Sequence, residues 1–440
     1  MNFFSFSLIV SIIILLIIIL IIIIILKNYK MSRYLNYNSS FVGGNKSTFN
    51  PSDIYYTDNI DLKTKENMIK TYLLTYFNAP DNAKIIFNSG ASESIANCMF
   101  WAKSISKFGT VIGSELDHPS VKENADNIGI NYKVLTYKDL KNPSRIEYPQ
   151  DTVALFITGV CPKTGEIYPM SNLKEYTYLN ENSNLSDMKS TRQIKPLKIL
   201  DASQMLGKVK IDMINDDLNA VFFSCHKIGG EFNTGVLIIN EPKYAKFKPL
   251  ISGSQQDNLR GGTYNSYAYQ NIPQLLKEYC SLIKEDECKE IYDKFTKELD
   301  KRGIKYYKPT LPHTHGTILI QLNNCNAKAI HTLSEYGIYV GSATACQSNN
   351  TVNELRISYL NKDEFGKNTI NKICDVIQEI ENDNVNEDSD NENENEHENE
   401  NKDKDYKNEN ENKDEDEELD IEKEKVDELN KELEFEETYI

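Results

Sequence analysis

The sequence has no cysteine arrangement that could build a metal or disulfide framework. Its eight cysteines (Cys98, Cys161, Cys225, Cys280, Cys288, Cys325, Cys346 and Cys374) include no Cys-x-x-Cys pair, and no histidine stands at metal-ligand spacing from them. This argues against a zinc site and a disulfide scaffold, and it fits a reducing compartment. An excess of positive charge is missing too. With 49 Lys+Arg against 66 Asp+Glu the chain carries −17, and its acidic run would repel phosphates, so general nucleic-acid binding is not expected. The acidity is concentrated: residues 381–440 hold 28 Asp+Glu and 7 Lys, a net of −21, which leaves about +4 on residues 1–380.

Basic side chains are also absent ahead of the longest apolar run. Residues 8–26 contain one polar side chain, Ser11, and as a helix would extend about 28 Å, enough to cross the hydrocarbon layer. No small-residue cleavage site follows, and Lys27, Lys30 and Arg33 come soon after. The expectation is an uncleaved, single-pass membrane anchor over residues 1–30, with the catalytic body cytosolic by the positive-inside rule. At the other end, residues 381–415 offer almost nothing to bury and are expected to be disordered. Leu419, Val426, Leu433 and Ile440 then recur every seven residues, with Leu429 between, which allows a short amphipathic helix.

Between these ends lie apolar runs that stop abruptly at polar residues. Residues 220–223 break into Ser224, Cys225, His226 and Lys227, then Gly229 and Gly230. A lysine ending a core strand is costly to bury as an ammonium, so its pKa falls and its amine becomes a nucleophile suited to a Schiff base. Taken alone, the same residue could be a surface lysine after an edge strand. Upstream, a strand through Lys198, Ile199 and Leu200 ends in Asp201, with Gln204 three residues later. Parallel sheets gather the carboxyl ends of their strands at one edge, so Asp201 and Lys227 are expected to face one pocket. A lysine amine with an acid for a pyridinium nitrogen is the protein's share of pyridoxal phosphate chemistry.

Further strand ends carry chemistry. Strand 85–87 turns through Gly90, Ala91 and Ser92 into a helix running through Trp101; small residues there leave backbone N–H groups for a phosphate. Strand 110–113 leads to His118, and strand 153–157 leads to the loop 159–167 containing Pro162. His313 and His315 precede a strand but have no evident third ligand, and no metal site is assigned.

In this order the segments resemble the cysteine desulfurases of the class V aminotransferase-like family of pyridoxal phosphate enzymes, over roughly residues 34–380. The stretch 33–40 is similar to the family's Tyr-Leu-Asp-Asn-Ala-Ala-Thr-Thr, with Asn36 at the acid; 49–52 resembles Gly-Asn-Pro-Ser; 89–94 resembles Ser-Gly-Ala-Thr-Glu-Ser, with Ser92 keeping the hydroxyl. The resemblance implies a pyridoxal phosphate type I α/β fold. Its large domain, with a mainly parallel sheet, would span 31–265, of which 31–52 contributes to the small domain and substrate site. A smaller α+β domain would span 266–380, followed by the acidic tail 381–440.

It also implies roles. Lys227 would hold the cofactor as a Schiff base, Asp201 would pair with the ring nitrogen, Gln204 with the ring oxygen, and His118 would stack on the ring and carry protons. Gly90, Ala91, Ser92, Ser224 and His226 would bind phosphate. Thr263, in a loop like Arg-x-Gly-Thr, would reach the phosphate of a second subunit, implying a homodimer. Arg356, with Asn36 nearby, would bind the substrate carboxylate, and Cys346 would be the persulfide-forming nucleophile. The reaction implied takes L-cysteine to L-alanine and hands sulfur to an acceptor. One departure stands out: Pro162 replaces the family's asparagine, and proline has neither a side-chain amide nor an N–H. Two alternatives stay open: another pyridoxal phosphate reaction, such as transamination or selenocysteine cleavage, and a membrane-tethered scaffold without turnover.

Overall fold

The computed structural model describes residues 33–41, 60–142, 146, 148–169, 195–323, 326–342, 353–366 and 368–395. The motif at 49–52, residues 170–194, Cys346 and its loop, and the heptad-like tail therefore lie outside the described residues. The chain divides into two compact units, Met1–Asn382 and Asp383–Ile440.

In chain order the elements are β1 (Arg33–Tyr34), α1 (Ile60–Tyr76), β2 (Lys84–Asn88), α2 (Ala91–Ile105), β3 (Thr110–Ser114), α3 (Pro119–Ile128), β4 (Asn131–Leu135), α4 (Tyr137–Lys141), β5 (Thr152–Thr158), β6 (Leu197–Asp201), β7 (Ala220–Ser224) and β8 (Gly235–Ile239). Then come α5 (Ser266–Tyr269), α6 (Ile272–Leu282), α7 (Glu285–Arg302), β9 (Thr317–Gln321), α8 (Asn326–Glu335), β10 (Ile338–Tyr339), β11 (Gly341–Ser342), β12 (Glu354–Ser358) and α9 (Thr369–Asn395).

A seven-stranded sheet has the order β2-β8-β7-β6-β5-β3-β4. Its neighbours are parallel except β8, which runs antiparallel to both β2 and β7. All seven residues of β5 are buried, as are all five each of β6, β7 and β8. Both faces of the sheet are covered, which is why these strands read as continuous apolar runs rather than alternating ones. One face packs Phe77, Phe223, Leu276 and Tyr279; the other packs α2 through Met99 and Trp101 with Phe156 and Phe222. Trp101 is fully buried, and its Nε1–H donates to the Ala245 carbonyl at 3.3 Å.

Local chemistry sets the ends of the helices. Helix α3 begins at the His118 cap with Pro119 in its first turn and ends at Gly129, whose φ of 63° suits only the left-handed region. Helix α7 opens on Glu285, Asp286 and Glu287 and closes on Lys301 and Arg302, matching the helix dipole at both ends.

A second sheet, β11-β12-β9, is antiparallel and packs with α7, α8 and α9 around Phe295, Leu333, Ile357 and Ile377. The segment leaving β1 joins it, because Asn36 bridges Ser358 in parallel and Leu35 is fully buried in the same core. Glu166, fully buried in the loop after β5, accepts from Thr164 Oγ1 (3.0 Å), Tyr307 OH (3.1 Å), Thr310 N (2.6 Å) and Leu311 N (3.0 Å). Those donors satisfy a carboxylate that would be costly to bury alone.

Helices α6 and α7 are separated at Ile283 and Lys284, where the Lys284 N–H donates to the Leu360 carbonyl at 2.9 Å. Two expectations change. Helix α9 continues to Asn395, into the stretch expected to lack structure, as helix extension past an established turn adds one hydrogen bond per residue fixed. The membrane anchor is corrected. Residues 8–26 lie outside the described residues, and among the described residues no helix is long and apolar enough to cross a membrane. The run is mostly isoleucine, whose β-branching lowers helix propensity, so apolar length alone did not establish a spanning helix.

Candidate active site

The carboxyl ends of β2, β3, β5, β6 and β7 share one edge of the large sheet, and the candidate residues follow those ends. Asp201 closes β6 and is paired in register with Phe222 of β7, two residues before Ser224. Lys227 sits just beyond, in a 3-10 turn over Cys225–Ile228 that closes on Gly229 at φ 85°. An added Cβ on Gly230 would approach Cys225 Cβ to 2.8 Å, so the turn needs glycine there.

Between β2 and α2 the backbone forms a cradle. Gly90 caps α2 at φ 140° with no side-chain cap, and its N–H donates to Asn88 Oδ1 at 3.1 Å. The Ala91 N–H donates to Ser224 Oγ at 2.8 Å, which ties the helix start to β7. Strand β8 passes so close that a Cβ on Gly235 would come within 2.4 Å of Gly90 Cα. Glu93 pins the far side, accepting from Ser89 N (2.8 Å) and from two nitrogens of Arg260 (3.0 and 3.2 Å). The positive end of the helix dipole, at a helix start whose own cap residue carries no side chain, makes this cradle suited to an anion.

His118 reaches the same edge from the loop after β3. Its Nδ1 accepts from Ser120 N at 3.2 Å and lies 2.8 Å from Ser120 Oγ. Asp117 fixes this loop by accepting from Ser114 N (2.8 Å) and Tyr132 OH (2.9 Å). Burial lowers the His118 pKa and Lys227 lowers it further, while Asp201 opposes both. Burial raises the pKa of Asp201, against a hydrogen bond from Ser203 N at 2.9 Å and the nearby His118 and Lys227. His226 is pushed down to about 4 by burial and by Lys227; it is neutral near pH 7, with its ring stacked on Phe232 at 5.8 Å.

A further charged group reaches the site from the second sheet. Arg356 of β12 is 2% exposed; one terminal nitrogen donates to Asn36 Oδ1 (3.0 Å) and Ser39 Oγ (2.6 Å), the other to the Pro162 carbonyl (3.3 Å). Asn36 is thus beside Arg356. Thr263 is exposed. His313 and His315 lie 4.9 Å apart between ring centroids, and His315 pairs with Glu285.

Two residues that sequence reasoning missed stand at the centre. Lys227 Nζ donates to the carbonyls of Asn38 (2.7 Å) and Ser39 (2.8 Å). Lys208 Nζ lies 3.3 Å from Gln204 Oε1 and 3.4 Å from Asn38 Oδ1. Burial lowers the Lys208 pKa to about 8; Lys227 and Arg356 add to this, while Cys288 and Glu285 oppose it. Lys208 follows Gln204 by four residues, a spacing that was visible. Asn38 stands where the resembling motif carries alanine, and that change of size was its signal.

Known proteins can now be set beside this arrangement. Residues 55–365 match the aminotransferase class-V family. A mitosomal cysteine desulfurase of Trachipleistophora hominis is 27% identical over 192 residues, 41% of this chain and 40% of that protein. Cysteine desulfurase IscS of Plasmodium falciparum (isolate 3D7) is 28% identical over 256 residues, 52% of this chain and 43% of that protein. The chain spans about two fifths of the length of these curated relatives. A solved NifS-like protein superposes with a TM-score of 0.63 at 19% identity, covering 80% of this chain and 99% of that one, a likeness of fold. The mitosomal placement of the first relative lends no support to the anchor expected over 1–30. A family match over so much of the sequence, on this fold, settles the placement: the chain belongs to the aminotransferase class-V family, a family of pyridoxal phosphate enzymes.

Proposed function

We propose that the protein is a pyridoxal phosphate-dependent cysteine desulfurase that converts L-cysteine to L-alanine and passes the sulfur through a persulfide on Cys346. The observation that carries this is the meeting of Lys227, Asp201 and His118 at one sheet edge with the buried Arg356 of the other sheet. The cofactor fits the residues present. The start of α2 is held flush against β8 where Gly90 meets Gly235 and is tied to Ser224, which sets the positive end of the helix at the strand edge for a phosphate, and Asp201 is a buried carboxylate whose cost a ring cation would offset.

When bound, pyridoxal phosphate supplies an aldehyde for amines and a ring that accepts electrons. Lys227 would present the amine that holds it and would move the α-proton, with His118 as the second proton carrier. Asp201 would keep a proton on the ring nitrogen, and Gln204 would orient the ring oxygen. Gly90, Ala91 and Ser92 through their backbone, with Ser224 and His226, hold the phosphate; Thr263 reaches the phosphate of a second copy in a homodimer. Arg356, which now donates to uncharged oxygens of Asn36 and Ser39, takes the substrate carboxylate, a stronger acceptor. The Cys346 thiolate attacks the substrate sulfur and the carbon–sulfur bond breaks. Sulfur stays on Cys346, and the carbon fragment, reprotonated, leaves as alanine. On this basis the seven-stranded sheet is the cofactor domain, 31–265, and the second sheet belongs to the small domain, 266–380.

The test is incubation of the full chain with pyridoxal phosphate and L-cysteine, measuring alanine and sulfide beside Lys227→Ala and Cys346→Ser. Loss of both products in both variants is expected. One observation favours a second reading: Pro162 offers only its carbonyl, already engaged by Asn38 (2.9 Å) and Arg356 (3.3 Å). Another pyridoxal phosphate reaction, transamination or selenocysteine cleavage, would need Lys227 but not Cys346. A protein with no substrate-dependent spectral change would be a scaffold.

A further inference from the structure

Asn38 is 3% exposed and links residues of both sheets at the site. Its N–H donates to Ser358 Oγ (2.9 Å), and its Nδ2 donates to the Pro162 carbonyl (2.9 Å) and Thr317 Oγ1 (3.0 Å). Its carbonyl accepts from Gln204 Nε2 (2.9 Å) and Lys227 Nζ (2.7 Å), and its Oδ1 lies 3.4 Å from Lys208 Nζ. Two lysine amines are therefore held by opposite ends of a single asparagine, one by its main chain and one by its side chain.

This arrangement raises a chemical question. An aldehyde condenses with any neutral amine it can reach, forming a carbon–nitrogen double bond and releasing water. Lys208 is half-buried, its acceptors are the neutral amide oxygens of Asn38 and Gln204, and it has no ion-pair partner among the described residues. Burial and neighbouring cations leave a substantial fraction of it neutral near pH 8. Lysine has a long flexible stem, so the amine is kept from competing with Lys227 by what holds it.

Resting on the desulfurase reading, we propose that Asn38 is a positioning residue that selects Lys227 as the attachment point: its side chain retains Lys208 while its carbonyl orients Lys227. The side-chain amide also joins the Pro162 loop to Thr317 on β9, so the same residue sets the distance between the cofactor side of the site and the Arg356 side.

The test uses the full chain loaded with pyridoxal phosphate and treated with borohydride. Hydride reduces the carbon–nitrogen double bond to a stable secondary amine, and peptide mass mapping then reports the lysine that carries it. Wild type is expected to carry the adduct on Lys227 alone. Asn38→Ala, and the milder Asn38→Ser, lose the Oδ1 acceptor and are expected to divide the adduct between Lys227 and Lys208, with cofactor affinity about tenfold weaker. Asn38→Asp keeps an oxygen facing Lys208 and is expected to restore attachment at Lys227 only. Thermal melting shows which variants are folded. A folded Asn38→Ala or Asn38→Ser with the adduct on Lys227 alone and unchanged affinity overturns the inference and leaves the enzyme reading standing. Wild type carrying no adduct at all overturns both.

Discussion

Ser224 Oγ accepts the Ala91 N–H at 2.8 Å, joining the end of β7 to the first residue of α2. One hydroxyl therefore both shapes the anion cradle and lines it. Ser224→Ala should weaken pyridoxal phosphate binding by about 10- to 100-fold, the loss of a hydrogen bond to a charged group, with little change in melting temperature. Titration of the apoprotein with cofactor, followed by absorbance, measures it.

Gly235→Ala tests how tightly the cradle is built. The added methyl would meet Gly90 Cα at 2.4 Å and Gly90 C at 2.8 Å, backbone atoms that cannot rotate away. A destabilisation of about 1–3 kcal/mol is expected, seen as a lower denaturant midpoint at unchanged slope.

Arg356→Lys separates charge from geometry. The guanidinium spreads its donors over Asn36, Ser39 and Pro162, a fork that an ammonium cannot match. KM for L-cysteine should rise by at least about tenfold, with a smaller effect on kcat. Equal KM values would remove Arg356 from carboxylate binding.

His226 gives a pH dependence with a definite sign. Its folded pKa is about 4, against about 6.5 in an unfolded chain, so between these values the unfolded state binds more protons. The stability it contributes is present above pH 6.5 and is lost as pH falls toward 4. Burial raises the pKa of Asp117 to about 6, and that group acts with the opposite sign, so the His226 contribution is read as a difference. Denaturant unfolding of wild type and His226→Gln at pH 7 and pH 4.5 should show the smaller acid loss in the variant.

Much of the site could be read from strand ends. Lys227, Asp201 and Ser224 each follow a run apolar on both faces, and only a sheet covered on both sides yields such runs; the polar break then marks the edge where chain leaves the core. Gly90 was readable because a helix start without a capping side chain needs small residues. Asn38 and Lys208 were not, because their roles exist only after folding: Asn38 meets Lys227 across 189 positions and Thr317 across 279. Glu166 was missed for the same reason, since its donors at Tyr307, Thr310 and Leu311 come from a segment more than a hundred residues later. The anchor over 8–26 failed differently, for a hydropathy run states composition and does not establish a helix.

The most direct measurement is a single turnover of the cofactor-loaded full chain with L-cysteine, followed by mass analysis of the peptide containing Cys346 and assay of alanine. A desulfurase gives one alanine for each Cys346 peptide heavier by one sulfur atom, and Cys346→Ser gives neither. Alanine formed as readily by Cys346→Ser, or a Cys346 peptide of unchanged mass while alanine accumulates, would contradict sulfur transfer through this residue.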